Sequence, residues 1–297
     1  MSPTRTLDKD LIIDESMRNS KKLIERVRVL LTYIKVVTGR GLTFDRLREY
    51  SVSDEARLID WNSLARTNKL YSKVYKEERN LDVVFMVDIS ESMTLGTTKL
   101  TKNEYAAILT TTLANTAIEA GDKVGLVTYS DSIKEIIEPE YKASVPFKLA
   151  DKLSEPEQYG GKTIWENVSD KILQKFDQDT FIFIISDFIG ESPALYDFMA
   201  TANEQFRGVF TIMVRDPRDS YLPEDIGKIR VIDPDTGKVD MVDVDEIREE
   251  YNRKAREQEI KIKKRAESTG GDFFKAYTDK NFVDQLAKYL KRREQWK

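Results

Sequence analysis

The stretch VVFMVDISESM, residues 83–93, carries the most chemically suggestive spacing in the chain. Five apolar residues, Val83 to Val87, run straight into Asp88, and Ser90 and Ser92 follow at alternate positions. In extended backbone, residues two apart face the same way, so one carboxylate and two hydroxyls can point at one spot. A second apolar strand, TFIFIIS, is followed by Asp187. Between the two runs the loop QYGGKTIWENV carries Thr163. Two carboxylates and three hydroxyls are hard oxygen donors, a set that suits Mg2+, with Mn2+ or Ca2+ also compatible. The chain has no Cys and no His. That excludes disulfides, Cys/His zinc sites and catalysis by either residue, so a resident ion must be held by oxygen.

The elements that must position these groups are legible from residue 81 onward. Strands are predicted over 81–88, 123–130, 133–139, 180–187, 208–215, 228–233 and 271–277, and helices over 100–120, 163–176, 193–206, 245–267 and 280–293. Near-continuous apolar strands alternating with helices predict a doubly wound, mostly parallel α/β sheet covered on both faces, Rossmann-like in plan. The link SDS (130–132) is short enough to join antiparallel strands, so one antiparallel edge strand is expected. Ligands of such sheets bind at the carboxyl ends of strands, near the point where strand order reverses. Asp88 and Asp187 both fall at such ends.

The first 80 residues read as a separate segment, giving a division into 1–80 and 81–293. Ile13, Met17, Ile24, Val27, Leu31 and Ile34 recur at helical spacing over 10–37, and Gly39 and Gly41 would end that helix. LTFDRLREY and KLYSKVYKEE read as strands, with TNK (67–69) as a turn signal. This part is basic, with 17 Lys/Arg against 12 Asp/Glu, whereas the remainder has 31 against 40. The basic segment suits either an acidic partner or an ordinary solvated surface. The net charge of −4 argues against nucleic-acid binding by bulk electrostatics. The N-terminus lacks an apolar signal core, and the longest uncharged run, residues 105–118, is too short and too rich in Thr to span a bilayer. A cytoplasmic location without a transmembrane segment is the resulting expectation. Trp61 and Trp165 are expected to pack, and the charged run 248–267 to be the solvent face of a long helix.

The constellation D88-I-S90-E-S92, Thr163 in GGKT and Asp187 in IISDF resembles the metal-ion-dependent adhesion site (MIDAS) of von Willebrand factor A domains. The resemblance covers 81 to about 290, and all five positions match. It implies that Asp88, Ser90 and Ser92 bind the ion directly, with Thr163 and Asp187 direct or through water, and one position open to a partner's carboxylate. A narrower resemblance spans almost the whole chain. LREY, RLIDW, ART and YKEER are similar to the domain-of-unknown-function family 58 (DUF58), in which a basic strand-rich segment precedes this type of domain. That resemblance implies association with MoxR-type AAA+ ATPases, and a non-enzymatic protein-binding module with no catalytic residue. Many relatives have membrane spans ahead of this segment, and none is expected from this sequence.

Other readings compete. GGKT with FIFIISD imitates parts of a P-loop NTPase, but the Gly required five residues before Gly161 is Pro156, and no buried strand precedes the loop. An aspartyl-phosphate phosphatase with Asp88 as nucleophile would want a carboxylate where Ser90 stands. No strand is followed by the glycine fingerprint of a dinucleotide site. Ser90 and Ser92 could also merely cap a turn, and a bound metal could be purely structural.

Overall fold

A computed structural model describes residues 8–19, 42–51, 59–67, 69–77, 81–232 and 239–294. Contacts divide the chain into two units, one of residues 31–80, the other of residues 1–30 with 81–297. The larger unit begins with helix α1, described over 9–19, whose Ile12 is buried and whose Ser16 hydroxyl donates to the carbonyl of Ile108. The rest of the helix predicted to residue 37, with Gly39 and Gly41, lies outside the described residues. In the smaller unit, β1 (Leu42–Glu49), α2 (Trp61–Thr67) and β2 (Tyr71–Glu77) follow, the two strands antiparallel with a register shift between Phe44 and Arg46. The helix α2 was not anticipated, and Trp61 is 63% exposed within it, contrary to the packing role expected. Thr67 of the expected turn closes α2, and Asn68 lies outside the described residues.

The larger unit continues with β3 (Asp82–Asp88), α3 (Lys102–Glu119), β4 (Lys123–Tyr129), β5 (Ile133–Glu140), α4 (Val145–Leu153), α5 (Ser169–Lys175), β6 (Thr180–Ser186) and α6 (Pro193–Gln205). It ends with β7 (Gly208–Arg215), α7 (Pro217–Ser220), β8 (Lys228–Ile232), β9 (Val239–Asp243), α8 (Val244–Ser268), β10 (Asp272–Tyr277) and α9 (Phe282–Glu294). Six strands form one sheet in the order β10-β7-β6-β3-β4-β5, parallel except for β5, which runs antiparallel to β4. This is the mixed α/β, Rossmann-like sheet with an antiparallel edge that the pattern predicted. Apolar side chains fill both faces, which is why the strands read as unbroken runs. Val84, Met86, Val127, Tyr129, Ile182 and Ile184 pack with Trp165, Ile172, Phe198 and Met199 on one face. An aromatic row links Phe85 to Phe183 at 4.9 Å, Phe183 to Phe210 at 5.4 Å and Phe210 to Tyr289 of α9 at 5.8 Å.

Three local expectations change. The helix predicted from residue 163 begins at Ser169, after a single 3-10 turn at Trp165–Asn167, so Thr163 lies in a loop. The helix α4 was missed. The strand predicted at 228–233 does not join the main sheet but pairs antiparallel with β9, itself unanticipated. The long charged helix α8 is as expected, laced by Glu250–Lys254, Arg253–Glu257 and Lys263–Glu267 pairs one turn apart. Among the described residues no helix is long and apolar enough to cross a membrane.

Candidate metal centre

Strand order reverses beside β3. The chain leaves β3 for β4 and β5 on one side, then returns to β6, β7 and β10 on the other. The crevice that results at the carboxyl ends of β3 and β6 is the ligand position of an open α/β sheet. Val87 pairs with Ile185 across these strands, so Asp88 lies level with Ser186, and Asp187 is one residue further. The two carboxylates are thus brought to one edge of the sheet by adjacent strands of matched length.

The Asp88 carboxylate is buried and fully engaged. Its Oδ1 accepts the Ser90 amide at 2.8 Å, its Oδ2 accepts the Ser186 hydroxyl at 2.6 Å, and the Thr163 hydroxyl lies 3.1 Å from both oxygens. Ser90 Oγ is 3.2 Å from Ser92 Oγ, the two hydroxyls brought together by the 3-10 turn at Glu91–Thr94 rather than by extended backbone. Burial, and next the charge of Asp187, push the Asp88 carboxyl from its ordinary value near 3.8 up to about 6, against the lowering effect of Ser186 and Ser90. A carboxylate held above its usual range by burial, and next by a second carboxylate, is a place where a cation would be welcome.

Thr163 reaches Asp88 because two loops are zipped together by backbone hydrogen bonds. Ile89 N donates to the Tyr129 carbonyl, Gly160 N to that of Ile89, Glu91 N to that of Gly161, and Ile164 N to that of Ser130. Gly161 has φ +71°, a conformation that suits a residue without Cβ. Two residues past Thr163, Trp165 is buried against Tyr129 and Phe198, with ring centroids at 5.0 and 5.5 Å, and anchors the loop to the core. Its expected packing role holds. Glu91 is exposed beside the serines.

Asp187 is held differently. Its Oδ1 accepts the Ile189 amide at 3.0 Å and its Oδ2 accepts the Lys102 ammonium at 2.7 Å, with both side chains wholly buried. Lys102 also lies 3.0 Å from Asp219. Burial works to lower the Lys102 pKa, but Asp187 and then Asp219 outweigh it and hold it above its ordinary value. Phe188, next in the chain, has φ +55°, and its amide donates to Ser186 Oγ at 2.8 Å.

The five residues picked out in the sequence, Asp88, Ser90, Ser92, Thr163 and Asp187, therefore gather at one end of the sheet. Among the described residues no three carboxylates form one metal-binding group, so an ion here would depend on hydroxyls beside the carboxylates. The residues fit a hard divalent ion on a further observation: Ser130 Oγ, at the end of β4, is buried with no hydrogen-bond partner. A Cβ built on Gly161 would lie 4.0 Å from that oxygen. Sequence reasoning missed Ser130, Ser186 and Lys102. The only hint was that Ser186 and Ser130 stand at strand ends, and nothing marked Lys102 as a partner of Asp187.

The chain belongs to the family described as protein of unknown function DUF58, which it matches over residues 46–261. It is similar to uncharacterised proteins of Mycobacterium bovis and Mycobacterium tuberculosis, each 22% identical over 283 residues, covering 88% of this chain and 82% of the relative. Similar solved structures include the conserved hypothetical protein BatB from Bacteroides thetaiotaomicron, with a TM-score of 0.49 at 14% identity, covering 73% of this chain and 100% of that one. An aerotolerance-related membrane protein from Bacteroides fragilis has a TM-score of 0.44 at 14% identity, covering 72% of this chain and 100% of that one.

Proposed function

We propose that the chain is a non-enzymatic, metal-dependent protein-binding module of the von Willebrand factor A type. Asp88, Ser90 and Ser92 would hold Mg2+, or Mn2+ or Ca2+ in its place, with Thr163 and Asp187 completing the shell. The bound ion would supply an electrophilic position that takes a carboxylate from a partner protein. The chain's own residues do the rest. Ser186, Ser90 and Thr163 orient the Asp88 carboxylate, and Trp165, buried against Tyr129 and Phe198, anchors the Thr163 loop to the sheet's core. The single observation that carries this reading is the Thr163 hydroxyl on both oxygens of Asp88, across 75 residues of sequence. With Ser186, it brings three separate segments to one carboxylate that burial has left short of a counter-charge.

The partner implied by the family resemblance is a MoxR-type AAA+ ATPase or a client it remodels, with the chain as its cytoplasmic adaptor. No nucleic acid is called for. The hydrolase readings find less support. Thr163 lies in a loop rather than at a helix start, as a P-loop would need, and the place two residues after Asp88 is held by Ser90, whose amide donates to Asp88 Oδ1. A purely structural metal is the remaining alternative. It differs in having no position open to a partner. Pull-down from the cell extract with and without chelator separates the two. An ATPase or client lost on chelation supports the adaptor, and an unchanged set of partners refutes it.

A further inference from the structure

Lys102 is the first residue of α3 and, among the described residues, one of the largest wholly buried side chains. Burying an ammonium is costly unless it is paired, so its position needs a reason. It spans two carboxylates, Asp187 at 2.7 Å and Asp219 at 3.0 Å. Asp219 is fixed in turn. It accepts the Asp216 amide at 3.0 Å, and Asp216 accepts the amide and hydroxyl of Thr97, each at 2.6 Å. Lys102 thus pins the end of β6 to a scaffold formed by α7 and the loop before α3. Of the two Asp187 oxygens, Oδ1 receives a backbone amide and Oδ2 receives Lys102.

A carboxylate bound this way can still accept a hydrogen bond from an ion's water, but turning Oδ2 onto the ion itself requires breaking a buried ion pair. We propose that Lys102 is a positioning residue that keeps Asp187 in the outer shell of the candidate metal centre. The inference rests on the metal-binding reading above and adds to it how the ion is kept available. With Asp187 paired to Lys102 and held at one remove, Asp88 is left as the carboxylate that binds directly. The ion keeps more of its charge and more exchangeable water, which is the condition for capturing a partner's carboxylate. Without Lys102, Asp187 would move onto the ion. The ion would be gripped harder and would present less of itself.

Mn2+ is the probe, because its binding is read by titration and its bound water by the relaxation of solvent protons. Wild-type chain, Lys102→Met, Lys102→Arg and Lys102→Met/Asp219→Asn are compared, with Asp88→Ala as the blank. Lys102→Met strands both Asp187 and Asp219, whereas the double variant leaves only Asp187 without its counter-charge and is the milder change for folding. In the Lys102→Met and double variants Mn2+ affinity rises about tenfold or more, since a cation's repulsion is removed and a carboxylate is freed. The relaxation per bound ion falls as water is lost, and Lys102→Arg stays close to wild type. A merely structural role would weaken Mn2+ binding instead. Unchanged or weaker binding in the double variant, with wild type still binding and Asp88→Ala not, overturns the role of Lys102 alone. Absence of Mn2+ binding in every variant overturns the metal centre and this inference together.

Discussion

Asp88→Asn should stabilise the metal-free protein at neutral pH while abolishing its response to metal. The cause lies in the burial of Asp88 beside Asp187, which lifts its carboxyl from near 3.8 to about 6. Between those two values the folded chain holds a proton that the unfolded chain has released. Stability therefore falls as pH rises through that window, and above it the ionised group costs the fold roughly 3 kcal/mol. An amide carries no charge and fits the same space. Its oxygen can accept from Ser90, and its nitrogen must donate where Asp88 Oδ2 now accepts from Ser186. Allowing about 1 kcal/mol for that imperfect exchange, the gain is about 2 kcal/mol. For a unit of this size that corresponds to a rise in Tm of roughly 4–8 °C. The assay is thermal unfolding in excess chelator from pH 4 to pH 8. Asp88→Asn should exceed wild type at pH 7.5, and the gap should close as the pH falls through 6 towards 4. A variant no more stable than wild type at pH 7.5, or a gap that ignores pH, would refute the electrostatic reasoning.

Three further outcomes follow from the same geometry. Thr163→Val removes the hydroxyl 3.1 Å from both Asp88 oxygens, so Mg2+ affinity should fall at least about tenfold, which is about 1.4 kcal/mol, by calorimetry. Trp165→Ala empties a buried site between Tyr129 and Phe198 and should cost about 3–5 kcal/mol in denaturant unfolding, with metal affinity falling as the Thr163 loop loosens. Gly161→Ala meets no close neighbour, its Cβ lying 3.9 Å from Asp131 Oδ2, so its cost of about 1 kcal/mol in chemical denaturation should come from φ +71° alone.

The sheet was readable because β3, β4, β6 and β7 are buried on both faces, which leaves an apolar run that periodicity alone identifies. The antiparallel edge was readable from the short link before Ile133, since a parallel neighbour needs a longer crossover. The candidate site was readable in part because an acid at the end of a buried strand has few structural reasons to be there. What failed was local. In α4, Val145, Leu149 and Leu153 do recur at helical spacing, but the helix has only 9 residues and little length to show it. Thr163 precedes Trp165, whose 3-10 turn delays α5, and tertiary packing of that Trp decides the start rather than propensity. β8 and β9 form a ribbon of their own, with Ile229, Val239 and Met241 exposed, so neither strand bears the apolar signature of a core. Lys102 opens a helix that is buried nearly throughout, and its partners lie 85 and 117 residues away, at distances that only the fold closes.

The most direct test of the metal centre is calorimetric titration of Mg2+ into the chelator-stripped wild-type chain and into Asp88→Ala. One ion bound per wild-type chain and none bound by the variant is the expected result. Undiminished binding in Asp88→Ala would contradict the site.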